Sequence, residues 1–141
     1  MDNLILKKAQ QSDIRKIAPY LAEFKLDTEN VSAEQFVIAE INGNLAGFGR
    51  IKPYENIYEL SSIGVVPEYR KKGVGESLIK HLIKTCPANE VWISTKIVEY
   101  FRKLGFEEVD NVPEEIKQKT LRVCKNFYES VTDSYYMVFK K

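Results

Sequence analysis

The 141-residue sequence predicts an α/β (α+β) fold: a mixed, mostly antiparallel central sheet of roughly six or seven strands flanked by about four helices. Three observations carry this expectation. A meander of period-2 apolar runs joined by Asn42-Gly43 occupies the first half, because Asn-Gly is a strong hairpin signal. A helix with one apolar face, Val74, Leu78, Ile79, Leu82 and Ile83, stands at the centre. Strand-like and helix-like patterns then alternate to the end, with no repeat or linker, so one domain spanning 1–141 is expected.

Leu4 to Ala9 opens the chain as a strand. Ser12-Asp13 is expected to cap a helix with apolar face Ile14, Ile17, Ala18 and Leu21, which Pro19 should kink or shorten. Lys25 to Gln35 is polar and weakly periodic, a loop or a frayed helix. Phe36 to Ile41 and Leu45 to Ile51 form the hairpin, and Ile57 to Val66 continues the meander. Gly47 and Gly49 alternate on one strand face, which predicts close approach by another element. After the central helix, Glu90 to Thr95 reads as a strand, Ile97 to Leu104 as a short helix and Phe106 to Val109 as a strand. A helix beyond Pro113 carries Ile116, Thr120, Val123, Cys124 and Phe127 on one face, and Ser134 to Phe139 closes the chain as a strand.

The stretch that points to chemistry is Glu59-Leu-Ser-Ser-Ile-Gly-Val-Val-Pro-Glu-Tyr-Arg-Lys-Lys-Gly-Val-Gly75. Pro67 stops the strand, and Arg70, Lys71, Lys72, Gly73 and Gly75 lead into the central helix. First-turn N–H groups of a helix lack intrahelical partners and carry partial positive charge, and glycine lets backbone close around an anion. A charge run alone would read as a solvated turn; strand, cations, glycines and helix together predict a phosphate site. The third glycine of a dinucleotide loop is missing, since Leu78 stands there, and Glu76-Ser77 replaces the Lys-Ser/Thr of a Walker loop. Within the strand, the alternation of Tyr58 and Leu60 slips by one at Ser61-Ser62 relative to Ile63 and Val65. This predicts a β-bulge that frees backbone groups around Ile63, Gly64 and Val65.

The segment resembles the Arg-x-x-Gly-x-Gly pyrophosphate loop of the GNAT superfamily of N-acetyltransferases, in its setting of Glu-Leu, strand, Pro-Glu-Tyr-Arg and Gly-x-Gly. The resemblance covers nearly the whole chain. It implies a sheet splayed between strands 4 and 5, and acetyl-CoA as cosubstrate. The cofactor would be bound by Ile63, Gly64, Val65, Arg70, Lys71, Lys72, Gly73, Val74, Gly75 and Glu76, with its pantetheine arm along Ile63 and Val65. Tyr100-Phe-Arg-Lys-Leu-Gly-Phe106 resembles the family's Phe-Tyr-x-Lys-Leu-Gly-Phe segment, which puts Phe101 at the cofactor. There the family's proton-donating Tyr is replaced by a residue without a proton to give, so a thiol of pKa near ~8.5 would leave as thiolate. Val112-Pro-Glu-Glu-Ile-Lys-Gln-Lys, with Arg122, Cys124 and Lys125, and Phe36 to Gly43 resemble the acetyltransferase domain of N-acetylglutamate synthases, making glutamate a candidate acceptor. The segment between the first two strands often lines the acceptor pocket in this family.

These resemblances imply transfer of an acetyl group to a primary amine of a small molecule or amino acid by direct attack on the thioester. The alternative is a CoA-binding sensor or interaction module on the same fold. An ammonium acceptor must lose a proton, and Glu59, in the Glu-Leu position, is the candidate base. The competing reading pairs its carboxylate with a cation such as Arg50. Tyr58, Tyr128, Tyr135 and Tyr136 are further proton donors or pocket walls by residue type. Arg50, Lys52 and Arg122 read as surface cations that could also meet an acceptor carboxylate.

With 21 Lys plus Arg against 20 Asp plus Glu, the net charge of +1 gives no reason to expect nucleic acid as partner. Cys86, Cys124 and a single histidine, His81, do not make a metal or redox pattern, and both cysteines are expected to pack as small hydrophobes. No apolar run reaches membrane-spanning length, so no membrane association and a cytoplasmic location are expected. The Tyr-rich closing strand suits pairing across a homodimer.

Overall fold

The computed structural model describes residues 3–126 and 134–141. Seven strands, β1 (Leu4–Lys8), β2 (Phe36–Ile41), β3 (Asn44–Pro53), β4 (Tyr58–Val65), β5 (Glu90–Thr95), β6 (Glu107–Glu108) and β7 (Tyr135–Lys140), follow the hydrogen-bonded order β1-β2-β3-β4-β5-β7-β6. The helices are α1 (Gln11–Glu23), α2 (Val74–Thr85), α3 (Val98–Lys103) and α4 (Glu114–Asn126). The sheet is mostly antiparallel, with a parallel pair at β4 and β5 that registers Glu59 with Trp92. The mixed sheet and four helices expected from the sequence are present. The chain divides into two units, Met1–Lys52 with Leu60–Thr85, and Pro53–Glu59 with Cys86–Lys141.

In the first unit, the Asn42-Gly43 turn has φ of 52° and 81°, the pair of positive values that matches the twist of a two-residue hairpin. Helix α1 buries Ile17 and Leu21 against Phe36, Ile38, Phe48 and Ala9. Its cap is Gln10, two residues before Ser12. Gln10 precedes the first turn, and the Asp13 carboxylate reaches back to accept the Gln10 backbone N–H at 2.8 Å, a reciprocal cap. The helix runs four residues past Pro19, and Ala18, expected on the apolar face, is exposed.

Helix α2 buries the five residues predicted: Val74, Leu78, Ile79, Leu82 and Ile83. It can do so because β3 presents glycine beneath it. A Cβ at Gly47 would lie 3.0 Å from Leu78 Cδ1, Val74 Cγ1 and the Gly64 carbonyl oxygen. One at Gly49 would lie 2.9 Å from Leu82 Cδ1 and 2.4 Å from Ile63 Cδ1. The close approach expected at these two glycines is that of α2 and β4.

In the second unit, β7 pairs with β5 from Glu90↔Lys140 to Thr95↔Tyr135, and β6 flanks β7. Helix α4 buries Ile116, Lys119, Thr120 and Cys124, while its expected neighbour Phe127 lies outside the described residues. Thr120 Oγ1 donates to the Ile116 carbonyl at 2.8 Å and to Ser94 Oγ of β5 at 3.1 Å. Phe101 of α3 meets Phe106 edge-on with centroids 5.4 Å apart, and Phe106 meets Phe139 at 5.5 Å. Cys86 and Cys124 are both buried and unbridged, as small hydrophobes are. Among the described residues, no helix is long and apolar enough to cross a membrane.

Candidate active site

The basic loop belongs to the first unit. Val66 N–H bonds to the Ala46 carbonyl at 2.8 Å, fixing the end of β4, and Pro67–Tyr69 form a single 3₁₀ turn. Lys71 and Gly73 then take φ of 64° and 82°. Ser77 N–H makes the first helical bond, to the Gly73 carbonyl at 3.1 Å. The N–H groups of Val74, Gly75 and Glu76 therefore occupy the first turn, where no carbonyl of the same helix is available to them. Gly73, in an exposed loop, supplies the left-handed step that leads into this first turn.

The three cations divide their work. Arg70 Nε donates to the Val65 carbonyl at 3.0 Å, and its guanidinium lies 5.0 Å from the Phe24 ring centre, so Arg70 braces the loop against β4 and α1. Lys71 and Lys72 are exposed, with Lys72 Nζ 5.8 Å from the Tyr69 ring centre. The positive charge at the helix start is thus backbone plus two exposed ammonium groups.

The slip in alternation expected at Ser61-Ser62 is present in β4 as a break in its burial pattern. Ser62 sits in the left-handed region at φ 54° inside β4, and the four residues Glu59 to Ser62 are all buried, breaking the alternation. Ile63 and Val65 are half-buried, and Gly64 is pressed so closely on Phe48 and Phe24 that a Cβ there would sit 2.5 Å from Phe48 Cζ.

Beside this stretch lies a charge network that reverses one expectation. Arg50 and Lys52 are not surface cations: they are 0% and 3% exposed. Asp27, from the loop after α1, pairs with both, at 3.0 Å to Arg50 Nη2 and 2.8 Å to Lys52 Nζ. Ser62 Oγ donates to the Asp27 carbonyl at 2.8 Å and accepts Arg50 Nε at 3.2 Å, while Lys52 also reaches Glu29 at 3.4 Å. Burial acts to raise the Asp27 pKa, but the Lys52 hydrogen bond, the Glu29 backbone N–H and the charges of Arg50 and Lys52 outweigh it and hold the carboxyl below its ordinary 3.8. The signal was present in the sequence: Arg50 and Lys52 share a strand face with Phe48, so they point inward wherever Phe48 does.

Glu59 belongs to the second unit and is 0% exposed. Tyr54 Oη donates to its Oε1 at 2.7 Å, and Lys119 Nζ lies 2.6 Å from its Oε2 without hydrogen-bond alignment. Its cation is therefore Lys119 of α4 rather than Arg50, whose carboxylate is Asp27. Lys119 was missed because lysines default to solvent. Its spacing from Ile116 and Val123, three and four residues away, places it on the buried stripe of α4. Among the other residues singled out, Tyr58 and Tyr136 are half-buried, Tyr135 and Arg122 are exposed, and Tyr128 lies outside the described residues.

Residues 5–106, which include β4, the basic loop and α2, fit the model of the acetyltransferase (GNAT) family. The chain belongs to that family. Phe101, at the position where the GNAT motif has Tyr, is 5% exposed and packed among aromatic rings, and Tyr100 beside it is 40% exposed.

The GNAT assignment agrees with individual relatives. The chain is 29% identical over 108 residues to an uncharacterized N-acetyltransferase of Chlorobaculum tepidum, covering 72% of this chain and 68% of that protein. It is 26% identical over 125 residues to an N-alpha-acetyltransferase of Sulfurisphaera tokodaii, covering 72% of this chain and 66% of that one. The chain thus spans about two thirds of the length of these two relatives. Its fold is similar, with a TM-score of 0.77 at 21% identity, to N-acetylglutamate synthase from Neisseria gonorrhoeae complexed with coenzyme A and N-acetyl-glutamate. That match covers 99% of this chain and 35% of the synthase.

Proposed function

We propose that this GNAT acyltransferase moves the acetyl group of acetyl-CoA to a primary amine of a small molecule or amino acid, with L-glutamate the first acceptor to try. The observation that carries the reading is the loop from Arg70 to Glu76 feeding the start of α2, with Gly73 at φ 82° ahead of the first-turn amides. Acetyl-CoA supplies the activated acyl group. The amides of Val74, Gly75 and Glu76, with Lys71 and Lys72, would hold its pyrophosphate, and the backbone of Ile63 to Val65 its pantetheine arm. The neutral amine attacks the thioester carbon, forming the C–N bond as the C–S bond breaks; the thiolate leaves without help from Phe101 and takes up the proton that the acylated nitrogen then loses, giving the neutral amide and the free thiol. Glu59 receives the proton that the acceptor ammonium must lose. Orientation of the two reactants contributes most of the acceleration. A relative named as an N-alpha-acetyltransferase and a fold neighbour that carries N-acetyl-glutamate support α-amines as the first class to screen.

The test is a calorimetric titration with acetyl-CoA of the wild type and of Gly73→Pro, followed by an amine screen that begins with L-glutamate and a short peptide with a free N-terminus. Micromolar binding that is lost in Gly73→Pro, and CoA release with an amine, is the expected result. A folded wild type that binds no acetyl-CoA overturns the reading. Phe101 favours one second reading, a CoA-binding protein without transfer, and turnover with any amine excludes it.

A further inference from the structure

Glu59 as it stands cannot meet an acceptor directly: it is 0% exposed and both carboxylate oxygens are engaged. Among the described residues, the titratable side chains that reach it are Tyr54, from the segment before β4, and Lys119, from α4; its partner on β5 is Trp92, which does not titrate. Only Tyr54 combines contact with Glu59 and partial exposure. Its placement is built in, because Tyr54 N–H bonds to the Ile57 carbonyl at 2.8 Å and so closes the turn between β3 and β4 that points the phenol at Glu59.

We propose that Tyr54 is the proton relay into Glu59, and that Lys119 is the positioning residue that holds the Glu59 carboxylate oriented to receive the proton. This rests on the transfer reading above. In the step, an N–H bond of the acceptor ammonium breaks as its proton passes to the phenol oxygen, and the phenol O–H breaks as its own proton passes 2.7 Å to Oε1. The amine is left neutral and nucleophilic, Tyr54 ends as it began, and Glu59 holds the proton beside the Lys119 ammonium.

The experiment is steady-state kinetics across the acid limb of the pH–rate profile, with the amine that scores in the screen, for Tyr54→Phe, Lys119→Met, Lys119→Arg and Glu59→Gln. Tyr54→Phe removes one hydroxyl and keeps the ring, so the fold survives. It is expected to lower kcat on the order of 10²-fold with KM for acetyl-CoA unchanged. Lys119→Met is expected to lower kcat with KM for acetyl-CoA unchanged, and Lys119→Arg, which keeps the charge should the Met variant fail to fold, to hold kcat near wild type. Wild-type kcat in Tyr54→Phe together with a loss in Glu59→Gln overturns the relay and leaves Glu59 as base. Wild-type kcat in a folded Lys119→Met, or a loss in Lys119→Arg as large as in Lys119→Met, overturns the positioning role. Wild-type behaviour of Glu59→Gln overturns Glu59 itself, and absence of turnover by the wild type with every amine overturns the transfer reading and this inference with it.

Discussion

Replacing Asp27 by Asn should be among the most damaging single changes in the first unit. The substitution is nearly isosteric and leaves the backbone carbonyl of residue 27, which accepts Arg50 Nη2 at 3.2 Å and Ser62 Oγ at 2.8 Å, in place. What disappears is the negative charge between two cations whose side chains are 0% and 4% exposed. Removing one partner of a buried pair costs about 3–5 kcal/mol, because the remaining charge is left uncompensated away from water. Against a total stability of about 5–15 kcal/mol, this is a large fraction. At about 2–4 °C per kcal/mol for a chain near this size, the melting temperature should fall by about 6–20 °C. Glu29, 3.4 Å from Lys52 and only 22% exposed, offsets part of the loss and favours the lower half of the range. Urea unfolding of wild type and Asp27→Asn measures it, with a change in midpoint at constant slope. The cycle is completed by Lys52→Met alone and in the Asp27→Asn background, where the second change should cost less than in wild type. A loss below about 1 kcal/mol would refute the assignment of the network as a buried, dry ion cluster.

Other expectations follow from single contacts. Asp27 has a folded-state pKa below its ordinary 3.8, so the stability it contributes is present above that value and is lost as pH falls through the lowered one; Asp27→Asn should flatten the acid side of a melting-temperature profile. Gly47→Ala should destabilise by about 1–3 kcal/mol, because its Cβ meets the Gly64 carbonyl oxygen and two side chains of α2 at 3.0 Å and the carbonyl cannot swing aside; a denaturation midpoint at the wild-type value would contradict the packing described. Lys71→Ala with Lys72→Ala should weaken acetyl-CoA binding and reduce its salt dependence, because both lysines are exposed and act through screened charge; isothermal titration at two ionic strengths reads both effects.

Patterns that repeat were legible in the sequence, and pairings that depend on distant chain segments were not. The stripe Val74, Leu78, Ile79, Leu82 and Ile83 announced α2 because every residue on it obeys one period. Asn42-Gly43 announced the hairpin through backbone preference alone, and the slip at Ser61-Ser62 announced the left-handed Ser62. The burial of Arg50 and Lys52 required knowing that Asp27, more than twenty residues earlier, folds over their strand. Glu59 found its cation sixty residues downstream. Helix α1 is capped at Gln10 rather than Ser12 because a glutamine can fill the capping position when Asp13 answers it, an exchange that the usual preference for short polar caps conceals.

The attachment of Arg70 to its own protein bears on how such a loop handles an anion. A guanidinium laid over Phe24 and bonded to the Val65 carbonyl acts as a hinge pin that ties the loop to the strand and helix behind it. A loop already in its binding shape has little disorder to surrender on capture, so its holding power lies in how slowly it lets go. Lysine at position 70 would keep the charge that draws a polyanion in, yet lack the flat surface and the directed N–H that lock the pin. Capture would then proceed at much the same speed while release quickened, so the arginine sets residence time rather than attraction.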